Sequence, residues 1–257
     1  MTRWLRYAID GKVGFGRLSG DEIRVHSGDM FKDPQPTGDT LRLSAVKVLT
    51  PCRPGMMICL WNNFHALAAK LGVAEPEEPL YFLKAPSAYL AHGEVIRRPS
   101  SYDGPVVYEG ELGIVIGKSA YEISESEAKA HIFGYTCIND VTAAKLINKD
   151  STFAQWTRAK SFPTFGVFGP VIATDVDPAR LSVKTVLNGD ERQNYPLSDM
   201  IFPPARLVSM VSHDMRLSPG DVIACGTSLG VGSMKEKENS VEITIEGIGT
   251  LSNSFVQ

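Results

Sequence analysis

One run constrains this chain more than any other: Tyr108-Glu109-Gly110-Glu111-Leu112-Gly113-Ile114-Val115-Ile116. Its apolar half, Leu112 to Ile116, predicts a strand that enters the core. Glu109 and Glu111 stand at the mouth of that strand. On an extended chain two residues separated by one share a face, with Cα atoms about 6.6 Å apart. Two carboxylates so placed repel each other. A divalent cation such as Mg²⁺, Mn²⁺ or Ca²⁺ relieves that repulsion, because all three take hard oxygen ligands. The alternative is a solvated edge. Val241-Glu242-Ile243-Thr244-Ile245-Glu246 is of that kind, since its clean alternation leaves one face wet. A third acid favours the cation. Gly134-Tyr135-Thr136-Cys137-Ile138-Asn139-Asp140 reads as a strand that ends in one, and Asp140 can complete a three-carboxylate site.

Further strand-like segments are Phe133 to Ile138, Gly166 to Ala173, Val183 to Leu187, Val222 to Cys225 and Val241 to Ile245. Helical signals are fewer. Phe64, Leu67, Ala68 and Leu71 recur at helical spacing. Ser124 with Glu127 forms a capping box that predicts a short helix over 125–131. Pro204 opens a first helical turn ahead of Leu207, Val208 and Val211. The expected fold class is therefore α+β and mostly β, with a few covering helices. Near the N-terminus, Arg3 to Ala8, Val13 to Gly16, Glu22 to Val25 and Ala45 to Leu49 read as small strands joined by turns. They suggest a small β subdomain over residues 1–55, ahead of a main body over 56–257.

Composition excludes several functions. Lys and Arg number 26 against 29 Asp and Glu, a formal charge of −3, without the basic excess of a general nucleic-acid binder. No apolar run is long enough to span a bilayer, and Asp10 and Gly11 interrupt the N-terminal stretch before a signal-peptide core forms. The expected location is cytoplasmic, with no membrane partner. Cys52, Cys59, Cys137 and Cys225 form no C-x-x-C pair and read as buried free thiols. Gly226-Thr227-Ser228-Leu229-Gly230 matches the G-x-S-x-G nucleophile elbow. A poor helix opening follows it, and all five histidines precede Ser228, so a serine hydrolase is not expected. Gly14 and Gly16 begin a dinucleotide fingerprint that fails at Ser19.

Several ordered motifs together resemble the fumarylacetoacetate hydrolase family over roughly residues 56–257. They are Phe82-Leu83-Lys84-Ala85-Pro86-Ser87, the Glu109-Gly110-Glu111 run, Asn139-Asp140-Val141, Gln155-Trp156-Thr157-Arg158-Ala159-Lys160-Ser161-Phe162, Gly226-Thr227-Ser228-Leu229-Gly230-Val231-Gly232 and Ile245-Glu246-Gly247-Ile248-Gly249. The resemblance implies a mixed β-sandwich roll, a homodimer, and Mg²⁺ or Mn²⁺ held by Glu109, Glu111 and Asp140. It implies a small-molecule substrate, a 2-oxo or 1,3-dicarbonyl acid, whose oxygens chelate the metal. The metal then stabilises enolate charge as a Lewis acid. Lys160 maps to a lysine that faces the substrate and is the expected catalytic residue. Thr227, Gly226 and Lys84 map to the substrate side.

The departures from the family pattern narrow the reaction. Where hydrolases and decarboxylases of this family often carry His and Glu on a lid helix, this chain has Leu67 and Lys70, and His65 falls on another helical face. Ala144 and Ile147 replace an Arg and a Gln, with Lys145 one residue away as a substitute charge. No water-activating dyad is visible. Isomerisation or decarboxylation is therefore expected ahead of C–C hydrolysis. A weakened member that only binds a metabolite is the third reading. The 62–79 segment, an apolar helix face beside a Pro-broken acidic loop, is expected to close over substrate.

Overall fold

In a computed structural model that describes residues 1–257, strands dominate and helices are short. The largest sheet has twelve strands. Its main path runs Gln35–Arg42, Glu22–Ser27, Lys12–Ser19, Thr2–Ile9, Gly166–Thr174, Ile132–Asp140, Gly110–Ile116, Val222–Ala224, Met57–Trp61 and Leu80–Lys84. A five-stranded sheet runs Asp190–Pro196, Ser182–Leu187, Glu238–Ile245, Gly249–Val256 and Val95–Arg97. Val222–Ala224 pairs parallel with Met57–Trp61, and most other ladders are antiparallel, so the main sheet is mixed. This is the α+β, mostly β roll expected from the sequence.

Residue type explains the layering. Every residue of Gly110–Ile116 is buried, with Ile132–Asp140 on one side and Val222–Ala224 on the other. In Glu238–Ile245 the side chains of Val241, Ile243 and Ile245 are buried while Glu242 faces solvent. Leu112 and Ile114 join Ile243, Ile245 and Phe255 in one core between the sheets. Full burial of such a side chain contributes about 1.5–3 kcal/mol. The N-terminal strands continue the main sheet rather than forming one of their own: Trp4 pairs opposite Ile172.

The helices are His65–Leu71, Glu125–Ala128, Trp156–Lys160 and Pro204–Asp214. The capping box is present, with the Ser124 N–H donating to Glu127 Oε2 at 3.0 Å. Gly226–Gly230 leads into no helix, and Ser228 is fully buried, so there is no nucleophile elbow.

One expectation needs correcting. Glu109 and Glu111 do not lie on a single strand. The ladder breaks at Glu109: Val106–Tyr108 pairs with Thr142–Ala143 and Gly232–Ser233 in a small three-stranded sheet, and Gly110–Ile116 belongs to the main sheet. Side chains from the five-stranded sheet hold the break. The Gly110 N–H donates to Gln193 Oε1 at 3.0 Å, and Tyr195 O–H donates to the Gly110 carbonyl at 2.6 Å. A Cβ at Gly110 would collide with Thr185 Oγ1, which explains the glycine between the two acids. Gly110→Ala is expected to lower stability by about 1–3 kcal/mol through overpacking, measured by denaturant unfolding.

Candidate active site and metal centre

Three backbone features deliver the acids to one point. Gly110–Ile116 carries Glu111, the break before it carries Glu109, and Ile132–Asp140 ends on Asp140. One carboxylate oxygen from each lies within 4.8 Å of the others. Glu111 and Asp140 are fully buried, and the Glu109 side chain keeps 16 % exposure at the opening. Lys160 ends the Trp156–Lys160 helix and inserts its ammonium between two of the acids. Its Nζ donates to Glu109 Oε2 and to Asp140 Oδ2, both at 2.6 Å. Thr142 Oγ1 donates to Glu109 Oε1 at 2.9 Å, and the Glu109 N–H donates to Asn139 Oδ1 at 3.1 Å.

The structure places Lys84 and Gly226 differently from expectation. Lys84 does not face a substrate cavity. It is fully buried, and its ammonium meets Asp140 Oδ1 at 2.6 Å and donates to the carbonyls of Lys160 (2.6 Å), Phe165 (2.9 Å) and Val141 (3.1 Å). No proton of that ammonium is left for a ligand, so Lys84 orients Asp140. The Gly226 N–H donates to Glu111 Oε2 at 3.0 Å and orients that acid instead of a substrate. Thr227 does line the cavity. Its hydroxyl donates to the Gly110 carbonyl at 3.0 Å and accepts from Gln193 Nε2 at 2.8 Å.

The charges do not balance. Three carboxylates face two ammonium groups, and Glu111 is the acid with no cation at hydrogen-bonding distance. Its Oε1 is buried without any partner. Burial, reinforced by Asp140 and Glu109, pushes the Glu111 carboxyl well above the usual carboxylate range. Burial also works against charge on Asp140, but Lys160 and Lys84 overcome it and hold that carboxyl low. Burial likewise opposes the charge on Lys160, yet Asp140, Glu109 and Glu111 together raise its pKa above the ordinary lysine value. An orphaned carboxyl oxygen and three hard donors, one more acid than there are ammonium groups, fit a divalent cation.

A pH dependence follows. Glu111 is raised in the folded state, so its neutral form favours folding. That contribution is complete below the ordinary Glu pKa and is lost as pH rises through the raised one. Cation-free protein is expected to lose stability as pH rises above the usual carboxylate range. Thermal melts of Glu111→Gln should show a smaller loss, because the Glu109 carboxyl, also raised by burial, remains.

Above Glu109 and Lys160 opens a cavity of about 210 Å³. Trp61, Phe82, Trp156, Leu67, Ile147 and Val231 form most of its wall. Leu67 and Ile147, two of the family departures, thus face the cavity with apolar side chains. Lys145 does not replace the missing charge, because it is exposed and outside the lining. His65 pairs at 2.6 Å with Glu75, also outside the lining. The 62–79 segment is anchored at its start. Asn63 bridges Phe202 and Cys225, and Phe64 is fully buried. Asp199 Oδ2 accepts the Ala66 N–H at 3.0 Å, and Gly72 to Glu75 are exposed. On binding oxalate with Mn²⁺, hydrogen exchange should slow over 65–79 and stay unchanged at 62–64. Uniform or absent change would refute closure of this segment.

Sequence reasoning missed Gln193, Thr142, Tyr195 and the aromatic wall. Thr142 lies two residues beyond Asp140, close enough to have been suspected. Gln193 and Tyr195 sit on the second sheet, and no local pattern ties them to Gly110.

The profile described as "Fumarylacetoacetate (FAA) hydrolase C-terminal" matches residues 56–256. The chain belongs to the fumarylacetoacetate hydrolase family. A second profile, "Rv2993c-like, N-terminal", matches residues 2–51. The chain is 36 % identical to the oxaloacetate tautomerase YisK of Bacillus subtilis, over 92 % of this chain and 83 % of that protein. The crystal structure of 2-hydroxyhepta-2,4-diene-1,7-dioate isomerase from Mycobacterium marinum superposes with a TM-score of 0.90 at 37 % identity, covering 100 % of this chain and 98 % of that one. Maleylpyruvate hydrolase from Sphingobium sp. SYK-6, in complex with manganese(II) and pyruvate, gives a TM-score of 0.81 at 26 % identity, covering 99 % of each chain. This protein is thus an enzyme of a family whose named members include isomerases, a tautomerase and hydrolases. Its three acids, two of them buried, form a cluster that can hold a divalent metal. None of its helices is long and apolar enough to cross a membrane.

Proposed function

We propose that this protein interconverts keto and enol forms of a short 2-oxo acid, or decarboxylates one, with Mg²⁺ or Mn²⁺ at Glu109, Glu111 and Asp140. The observation that carries this reading is Lys160. Its ammonium sits between two acids at the cavity floor, and it lines the cavity. A divalent cation bound there supplies Lewis-acid stabilisation of negative charge on the substrate oxygens. Lys160 adds a fixed positive charge and a proton source beside that charge. In the ketonising direction the enol oxygen releases its proton to solvent and the C2–O double bond forms. C3 takes a proton from Lys160 Nζ, and the amine is reprotonated from solvent. Loss of CO₂ from a substrate with a 3-carboxylate leaves the same enolate for Lys160 to protonate.

Thr142 and Asn139 hold Glu109 in place, and Gly226 and Lys84 hold Glu111 and Asp140. Leu67 and Ile147 cannot activate water, which favours these reactions over C–C hydrolysis. Buried free thiols at Cys52, Cys59, Cys137 and Cys225 support a reducing, cytoplasmic setting. A homodimer is proposed from the family resemblance and is checked by light scattering.

The test follows the decay of oxaloacetate enol by ultraviolet absorbance, with product masses. Accelerated decay that requires Mg²⁺ or Mn²⁺, with mass unchanged or reduced by CO₂, supports the reading. Cleavage of an acylpyruvate into two acids, with no effect on enol decay, would replace it by hydrolysis.

A further inference from the structure

The cavity wall carries a substrate preference. We infer that the site selects 2-oxo acids with an apolar, preferably aromatic, tail over those with a second carboxylate. The inference rests on the proposed 2-oxo acid chemistry and concerns the part of the substrate farthest from the acids.

Beyond Glu109 and Lys160, no charged side chain lines the cavity. Lys160 is already engaged with Glu109 and Asp140. The nearby cations Lys145 and Arg158 are exposed and lie outside the lining. A distal carboxylate would lose water against Leu67 and Ile147 with no cation to pair with, since the only other polar side chains in the lining are the neutral Asn62 and Thr227, an unfavourable transfer. An aromatic ring would meet the opposite situation. Phe82 and Trp156 stack at 5.5 Å and 17°, and Trp61 tilts against Trp156 at 5.9 Å. These rings present apolar surface and offset-stacking partners. The positions where the family pattern places polar groups, Leu67 and Ile147, are the ones that close the wall.

The experiment compares phenylpyruvate with oxaloacetate as enol–keto substrates in the Mn²⁺-loaded protein. It adds calorimetric binding of benzoylformate, an aromatic 2-oxo acid that cannot enolise. The expected result is a kcat/KM about 10- to 200-fold higher for phenylpyruvate. Leu67→Arg should weaken benzoylformate binding and shift the preference toward oxaloacetate. Equal or better turnover of oxaloacetate by the wild type overturns the inference and leaves the proposed function standing. Tight benzoylformate binding with turnover of neither substrate supports the preference and removes the proposed reaction. Neither binding nor turnover overturns both.

Discussion

Replacing Lys84 by Met is expected to lower stability by about 3–5 kcal/mol, the cost of removing one partner from a buried ion pair. For a chain of this size the melting temperature should fall by roughly 6–20 °C. The reason is the number of groups that one ammonium serves. Lys84 is 1 % exposed, neutralises Asp140 and donates to three main-chain carbonyls, of which only that of Phe165 has a second donor, the Val141 N–H. The methionine stem fills the space but donates nothing. Saturating Mn²⁺ should recover little of the loss, because a cation at the acids does not satisfy those carbonyls. A melting temperature within about 2 °C of wild type would show that Lys84 is not the support of Asp140.

The neighbouring lysine is expected to behave in the opposite way. Lys160→Met should lower kcat for enol–keto exchange by about 10²- to 10⁴-fold, the usual range for loss of a positioned proton donor, with KM little changed. Lys160→Arg should not restore it, since the guanidinium is a rigid fork that gives up its proton poorly. Without a cation the Met variant leaves Glu109 with no ammonium partner and Asp140 with Lys84 alone. It should melt lower than wild type, and Mn²⁺ should recover most of that difference. A raised KM with unchanged kcat would make Lys160 a binding group only. Two lysines that touch the same aspartate are thereby separated: the Lys84 variant loses stability that Mn²⁺ does not recover, and the Lys160 variant loses rate, with a stability loss that Mn²⁺ does recover.

Local patterns made much of this legible. The all-apolar run after Glu111 marked the central strand because nothing in Leu112 to Ile116 tolerates solvent. The alternation in Val241 to Ile245 marked the wet face of the second sheet. The three acids were recognisable because they flank strands that must enter the core. What stayed hidden depends on contacts across the fold. The break at Glu109 is made by Thr185, Gln193 and Tyr195, which lie about 75 or more residues further along the chain. The position of Lys84 is set by carbonyls on three separate segments, and a lysine in a strand gives no hint that its charge is enclosed. The apolar wall was half visible. Leu67 and Ile147 read as missing polar groups, and only the surrounding tryptophans and Phe82 turn their absence into a surface.

The most direct test of the centre is calorimetric titration of Mn²⁺, with and without oxalate, into wild type and Glu111→Gln. Oxalate stands in for a chelated 2-oxo acid enolate. If the acids form a working centre, Mn²⁺ and oxalate each strengthen the other's binding to wild type by the same factor. The variant, folded and lacking the orphaned carboxylate, should lose both. If wild type binds neither, or if Glu111→Gln binds both unchanged, the three acids are not a metal centre and the proposed chemistry falls.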